Sequence, residues 1–429
     1  MPKMLLTIVR ILEAALLASA LAAPAYARQA TMLSIDALAN IVVANNPERR
    51  FYARQIGLAG AERDASDRLP DPEIAFEFGE RRMADGLTGA PTGAGPTYGV
   101  SIMQPLDLAG RGALRRAIAE RQIALARIGL AQFDAALTSR ARSLGYALFA
   151  AEQKAVAARD VAVRMRALAR IVEQRDPAGI APALDAAILD AGAITAERNA
   201  ALADSEASTI SYELNQLRGV SLKTRIRIAP PVVALPSLPS AERMAQQAGA
   251  NNFEIRSLQA QLQQQGLRVD LAQAARIPNV SVGPYVNHAR SDSRETNFGV
   301  RLTTTLPIWN SQAAGVAQEL SRQSQGEAAL LAINRRVARQ VYEQAANYEA
   351  KRRVLATWPA SAAEKFAAAA TTADNSYRQG AIPVATYVEM QRQYLDALTA
   401  LLDTRREAME AMLQLRALNG GRSFQGASQ

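Results

Sequence analysis

The chain has 429 residues, 49% hydrophobic but only 5% aromatic, with no cysteine and a single histidine, His288. Disulfides, thiolate metal sites, a Cys nucleophile and lipid attachment through a cysteine are therefore excluded, and with one histidine a His-ligated zinc site and a Ser-His-Asp triad are close to excluded. The net charge of +9 comes from 49 Lys and Arg set against 40 Asp and Glu, mixed along the chain without a basic run or interleaved aromatics; this reads as solvated helix faces, with no nucleic-acid partner.

The length allows two or three domains. Abundant Ala with few aromatics suits long helices packed side by side, because aromatics carry much of the buried area of a large globular core. Residues 1–27 read as a secretory signal peptide: Lys3, an apolar stretch from Met4 to Ala23, then Ala25-Tyr26-Ala27 as a small-x-small cleavage site. Nothing downstream has 18 consecutive apolar residues, so a transmembrane helix is not expected. A secreted or periplasmic protein and an outer-membrane β-barrel remain.

The rest of the chain reads as a duplication. Asn45-Asn46-Pro47-Glu48-Arg49-Arg50 returns as Asn251-Asn252-Phe253-Glu254-Ile255-Arg256. Tyr98-Gly99-Val100 returns as Phe298-Gly299-Val300, and Gly179-x-x-Pro182 as Gly380-x-x-Pro383. Leu214, Leu217 and Gly219 match Leu415, Leu418 and Gly420. The expected organisation is a first repeat over 28–220, a Pro-rich linker over 221–239, a second repeat over 240–420 and a flexible tail over 421–429.

Each repeat has one grammar. Helices are expected over 34–69, 111–176 and 182–219, then over 240–276, 311–378 (with one break at Pro359) and 384–418. At 1.5 Å per residue, each longest helix spans roughly 100 Å, and two flanking helices end to end match it. Strands are expected over 72–79 and 98–108, and over 279–287 and 298–308. They alternate: Ile74, Phe76 and Phe78 share one side, as do Phe298, Val300 and Leu302. Residues 80–96, rich in Gly, Thr and Pro, read as a loop, and His288 is expected in the short loop after the third strand. Two readings fit the alternation: soluble hairpins packed on helices, or tilted membrane-spanning strands with Tyr98, Phe298 and Trp309 in an aromatic belt. Four strands cannot close a barrel in lipid, so the membrane reading requires several protomers to share one.

Taken in order, several motifs resemble the TolC-like family of outer-membrane efflux channels (outer membrane factors) over nearly the whole mature chain. They are Leu33-Ser34-Ile35-Asp36-Ala37-Leu38 leading to Asn45-Asn46-Pro47, Gln104-Pro105-Leu106-Asp107-Leu108-Ala109-Gly110-Arg111, Arg276-Ile277-Pro278-Asn279-Val280, Leu306-Pro307-Ile308-Trp309-Asn310 and Tyr377-Arg378-Gln379-Gly380. The Leu-Pro-Ile-Trp-Asn segment, with Gln312 and Gly315 after it, is most similar to the heavy-metal (CzcC-like) subgroup.

The resemblance implies a mainly α fold with a small β part: long antiparallel helical hairpins forming a tunnel, and four strands per protomer in a 12-stranded barrel shared by a homotrimer. It implies the outer membrane of a Gram-negative bacterium, with the helices in the periplasm. It also implies a periplasmic adaptor (membrane fusion protein) and an inner-membrane pump of the resistance-nodulation-division class. The protein is then a passive duct, with no cofactor and no catalysis, for heavy-metal cations; a drug-efflux or type I secretion channel is the alternative. The sequence itself has no phosphate loop, no dinucleotide-binding glycine motif and no nucleophile with a base.

In the family, a carboxylate after the first tip turn pairs with residues around the second, and acidic side chains ring the opening. Asp185 falls on the first position, Tyr377 on its tyrosine partner and Glu389 on an acidic ring position. Gly179, Pro182, Gly380 and Pro383 shape the two turns. Two positions depart from the pattern: Ile382 stands where a basic partner is often found, and Thr386 replaces an acid.

Overall fold

A computed structural model describes residues 32–175, 180–232, 235–290, 294–305, 311–359 and 361–424. The signal-peptide region, Gly179, the Leu306–Asn310 motif with Trp309, and residues 425–429 lie outside them. The order of elements is α1 (Ile35–Asn45), α2 (Arg49–Ser66), β1 (Glu73–Ala84), β2 (Pro91–Leu106), α3 (Arg111–Arg175), α4 (Ile180–Leu217), α5 (Ala241–Asn251), α6 (Phe253–Ala274), β3 (Val280–Arg290), β4 (Arg294–Thr304), α7 (Ser311–Thr357), α8 (Ala362–Arg378) and α9 (Val384–Leu418). The fold is mainly helical, with one antiparallel sheet in the order β1-β2-β3-β4.

Helix α3 has 65 residues and organises the molecule. Its start explains the motif around Asp107. The Asp107 carboxylate accepts from the backbone amides of Arg111 (2.9 Å) and Gly112 (2.5 Å), two donors with no partner inside the helix. Gly110, with φ of 66°, makes the turn into it. The Gly112 amide first, and the Arg111 amide and nearby guanidinium charges after it, hold the Asp107 carboxyl below its usual range, against a smaller upward push from burial.

Along α3 the partners change in sequence. Near the sheet it pairs with α2, through Arg116–Asp67 (3.1 Å) and Arg49–Asp134 (2.8 Å). Leu137, Ala141, Leu144 and Leu148 then pack on Ile35, Leu38 and Val42 of α1 and on Ile226 and Ile228 of the linker. Further on, Val161, Met165 and Leu168 meet Leu189 and Ala193 of α4 and Tyr387 of α9. A third core joins Met244 and Ala248 of α5 to Val337, Val341 and Tyr348 of α7 and Met409 and Met412 of α9.

Two helices expected as continuous are each broken in two. The stretch 34–69 stops at Asn46 and restarts at Arg49, and 240–276 stops at Asn251 and restarts at Phe253. The cause is the same side chain in both. The Asn46 carbonyl oxygen accepts from the amides of Glu48 (2.9 Å) and Arg49 (3.3 Å), and its amide donates to the Leu217 carbonyl (2.9 Å). Asn252 accepts from Glu254 (2.9 Å) and Ile255 (3.2 Å) and donates to the Leu418 carbonyl (3.0 Å). Each Asn thus caps one helix start and ties down the end of a distant helix. The glycines that follow those ends take the left-handed conformation, Gly219 at φ 66° and Gly420 at φ 65°. At Gly420 a Cβ would lie 2.3 Å from the Asn251 carbonyl oxygen, so only glycine fits.

The linker is not a loose connection. Leu33 and Ile228 form a parallel bridge, Asn215 donates to the carbonyls of Leu222 and Thr224, and the Tyr348 hydroxyl donates to the Pro236 carbonyl at 2.7 Å. The tail also departs from expectation over residues 421–424. Arg422 donates to the Asn251 side chain, and Phe424 packs on the third core.

β1 and β3 run past their expected ends and β2 and β4 begin before their expected starts, while β2 stops at Leu106 and β4 at Thr304, short of 108 and 308. Residues 80–84 and 91–96 belong to β1 and β2, and the connection shrinks to 85–90, where Asp85 accepts from the amides of Leu87 and Thr88. Glycines and Thr in this stretch suggested a loop, yet Arg81↔Gly95 and Met83↔Gly93 continue the antiparallel ladder.

Candidate channel site

The sheet has two chemically distinct faces because side chains alternate along every strand. One row across the sheet joins Phe76, Val100, Val286 and Phe298. Rows beside it carry Ile74 with Ile102, and Val282 with Leu302. This apolar face is uncovered: Phe78 and Phe298 are each 83% exposed and Val300 74%. Such an apolar patch on all four strands marks an interaction surface rather than scattered surface residues.

The opposite face is polar and holds Glu77, Arg81, Ser101, Tyr285, Asn287, Asn297 and Arg301. Arg301 donates to Glu77 and stacks over the Tyr285 ring at 5.2 Å, and Arg81 pairs with Glu295. The expected place of His288 is corrected here. It lies inside β3, paired with Thr296, on the same face as Tyr98, whose ring centroid is 5.1 Å away. The third strand continues to Arg290, so the loop starts later than the polarity of Asn287 and His288 suggested.

At the far end of the helices, α8 closes on the turn Gln379–Pro383. Gly380 takes φ 75°, and the amides of Gln379 and Ala381 return to the carbonyls of Asn375 and Ser376. Pro383 stands at the N-cap of α9 with φ −73° and ψ 157°. Pro182 lies in the first turn of α4, where its missing N–H costs nothing. A cleft of about 460 Å³ separates this turn from the start of α4. Asp185, Tyr377, Pro182, Ile382 and Leu168 line it.

Residues 244–421 match the family described as outer membrane efflux protein. Over that segment the chain is similar to outer membrane efflux proteins. Among curated proteins, none matches the sequence. Solved structures share the fold at low identity. A membrane protein from Pseudomonas aeruginosa is 20% identical over 92% of both chains, with a TM-score of 0.72. The outer membrane channel CmeC of Campylobacter jejuni is 14% identical over 92% of this chain and 87% of its own, with a TM-score of 0.69. CusC, studied for transmembrane channel formation, is 17% identical over 91% and 93%, with a TM-score of 0.66.

The structure brings Asp185 and Tyr377 to one cleft and leaves Glu389 outside it. Glu389 lies further along α9, where Arg392 (2.6 Å) and Gln393 (2.9 Å) donate to it. Arg392 also reaches Asp396 at 3.1 Å. Hydrogen bonds from Arg392 first, then from Gln393, hold the Glu389 carboxyl down to about 2. It therefore stays ionised until the pH falls through about 2, and its charge is largely balanced by Arg392. Substituting Arg392→Ala should return Glu389 toward the ordinary carboxylate range. On the reading of Glu389 as a ring residue, the pH profile of ion selectivity of the reconstituted variant should differ from the parent's near pH 4 to 5. Equal pH profiles in parent and variant would show that Arg392 does not govern this charge.

Sequence reasoning missed the residues that hold the turn. Asp374, with its side chain 11% exposed, accepts from Arg378 (2.8 Å) and from the Tyr387 hydroxyl (3.3 Å). Tyr387 is fully buried and stacks on Tyr377 at 5.3 Å, and burial, with Asp374 beside it, pushes its phenol well up. Gln391, also fully buried, donates to the Ala370 carbonyl at 2.8 Å, joining α9 to α8. The Asp374–Arg378 spacing of four residues was the visible signal, because such pairs share a helix face. Among the described residues, no group of three His, Asp or Glu side chains is placed to hold a metal ion, and no helix is long and apolar enough to cross a membrane.

Proposed function

We propose that this protein is the outer-membrane duct of a tripartite efflux system, working as a homotrimer whose protomers share one 12-stranded barrel. The single observation that carries the reading is the sheet: an exposed apolar face, a polar face opposite it, and, among the described residues, two strand edges without partners. Lipid accepts that apolar face but not open backbone edges, so closure needs further copies. The paired capping roles of Asn46 and Asn252, and the glycines at 219 and 420, support descent of the two halves from one duplicated unit.

Substrate arrives from an inner-membrane pump of the resistance-nodulation-division class through a periplasmic adaptor, and leaves through the water-filled lumen. We read that substrate as heavy-metal cations, on the resemblance of residues 306–315 to the heavy-metal subgroup. A conduit needs no tight metal site, since tight binding in a pore slows exit. A deletion strain carrying the intact gene or none tests the substrate. Selective sensitivity to zinc, cobalt, cadmium, nickel, copper or silver salts is expected. Sensitivity confined to drugs, dyes and detergents would move the protein to drug efflux and leave the duct standing.

Asp185 and Tyr377 form the closed tip in this reading, across the cleft they line. Asp185→Ala and Tyr377→Phe should each raise the conductance of the protein in planar bilayers. Unchanged conductance in both would remove the latch.

A further inference from the structure

The unpaired edges of the sheet are complementary to each other. Three antiparallel pairings lie between β1 and β4, so β4 runs antiparallel to β1. Glu77 and Arg81 stand on the polar face of β1, and Glu295 and Arg301 on that of β4. Within one chain Arg301 already reaches Glu77, and Arg81 reaches Glu295, over the two intervening strands. The sheet therefore coils in the direction that brings β4 toward β1.

In an antiparallel pair, the residue numbers of partners add to a constant. The two ion pairs share that constant to within two residues, so one register serves both. Placing Glu77 directly opposite Arg301 leaves Glu295 diagonal to Arg81, within reach of long side chains. The same register sets Phe76 opposite Leu302 and Phe78 opposite Val300 on the apolar face. A slip by one residue would turn the four charges into lipid.

We propose that β1 of one copy pairs with β4 of the next in this register. Glu77 then binds Arg301 of the partner subunit and Arg81 binds Glu295 of the partner subunit, replacing the same two pairs made within the chain. The proposal rests on the shared-barrel reading and adds its register. Barrel geometry supplies an independent check. Glu77 pairs with Gly99, Gly99 with Asn287, and Asn287 with Asn297. Asn297 would then meet the partner's Arg81, four residues along β1 from the start. Over three copies the shift is about twelve residues around about twelve strands. With about 3.3 Å per residue and 4.8 Å per strand, the tilt is about 35°, inside the range of membrane barrels. Shifting the register by two one way flattens the tilt to about 20°. Shifting it the other way carries Glu295 beyond diagonal reach of Arg81.

The absence of cysteine makes the test direct. A full-length chain carrying E77C and R301C is extracted from outer membranes, mildly oxidised and run on a denaturing, non-reducing gel. Directly opposed residues lie about 4.5–5.5 Å apart at Cα, within disulfide range. Covalent dimers and trimers in most of the protein are expected. A monomer band with its thiols consumed would overturn the proposal, because the pair then stays within the chain. A native trimer with free thiols would also overturn it, in favour of another register. The unsubstituted protein running as a monomer in detergent would instead overturn the shared-barrel reading. Should the cysteines block assembly, the charge swap E77R with R301E replaces them. Trimer yield lost in each single reversal and regained in the double is expected; no recovery would overturn the register.

Discussion

Phe76→Arg is expected to prevent accumulation of the protein in the outer membrane. Phe76 stands in the row with Val100, Val286 and Phe298, at the middle of the exposed apolar face. An Arg at the bilayer midplane of a β-barrel costs about 2–4 kcal/mol, and a trimer pays it in every copy. Ala75→Arg, one residue away, points to the polar face beside Ser101 and should be tolerated. The comparison isolates the face, because both variants add the same charge to the same strand. Membrane fractions probed for each variant give the answer. Equal accumulation would contradict the assignment of the apolar side to lipid and favour soluble hairpins.

A comparably large loss is expected at Asn252→Ala. The residue is 6% exposed and its side chain makes three hydrogen bonds at once, two with helix-start amides and one to the Leu418 carbonyl. Alanine removes a cap, at about 0.5–2 kcal/mol, and leaves a carbonyl without its partner in a part-buried place, at about 1–3 kcal/mol. The total is about 1.5–5 kcal/mol of destabilisation. Asn46→Ala should cost a similar amount, since it breaks the same three links in the first half. Asn252→Asp is the informative companion. It keeps the acceptor for the Glu254 and Ile255 amides but loses the donor to Leu418, so it should recover part of the loss. Denaturant midpoints in detergent report all three variants. A midpoint for Asn252→Ala within error of the parent would show that the helix break is held by packing alone.

These expectations also show which parts of the structure were readable in advance. Alternation in Ile74-Ala75-Phe76-Glu77-Phe78 showed both the strand and its apolar face, because period two has one structural meaning when the apolar side is unbroken. The long proline-free run after Arg111 showed α3. What escaped was set by tertiary partners. Residues 91–96 look like a loop by composition, and only the ladder to 80–84 makes them a strand. Asn46 and Asn252 were noticed as repeated landmarks, but their function depends on the carbonyls of Leu217 and Leu418, more than 160 residues away in sequence. At the tip, Tyr377 was found through the family resemblance. Tyr387 and Gln391, which hold the same turn from inside, carry no motif and are recognised only by their complete burial.

A duct requires that several copies close one lumen. Electron cryo-microscopy of the full-length protein, extracted from outer membranes into lipid nanodiscs, tests this most directly. The account predicts three-fold symmetric particles, with a continuous strand wall in the disc and a helical tube of roughly 100 Å below it. Single copies with the Glu77–Arg301 pair kept inside each chain, and no enclosed passage, would contradict it.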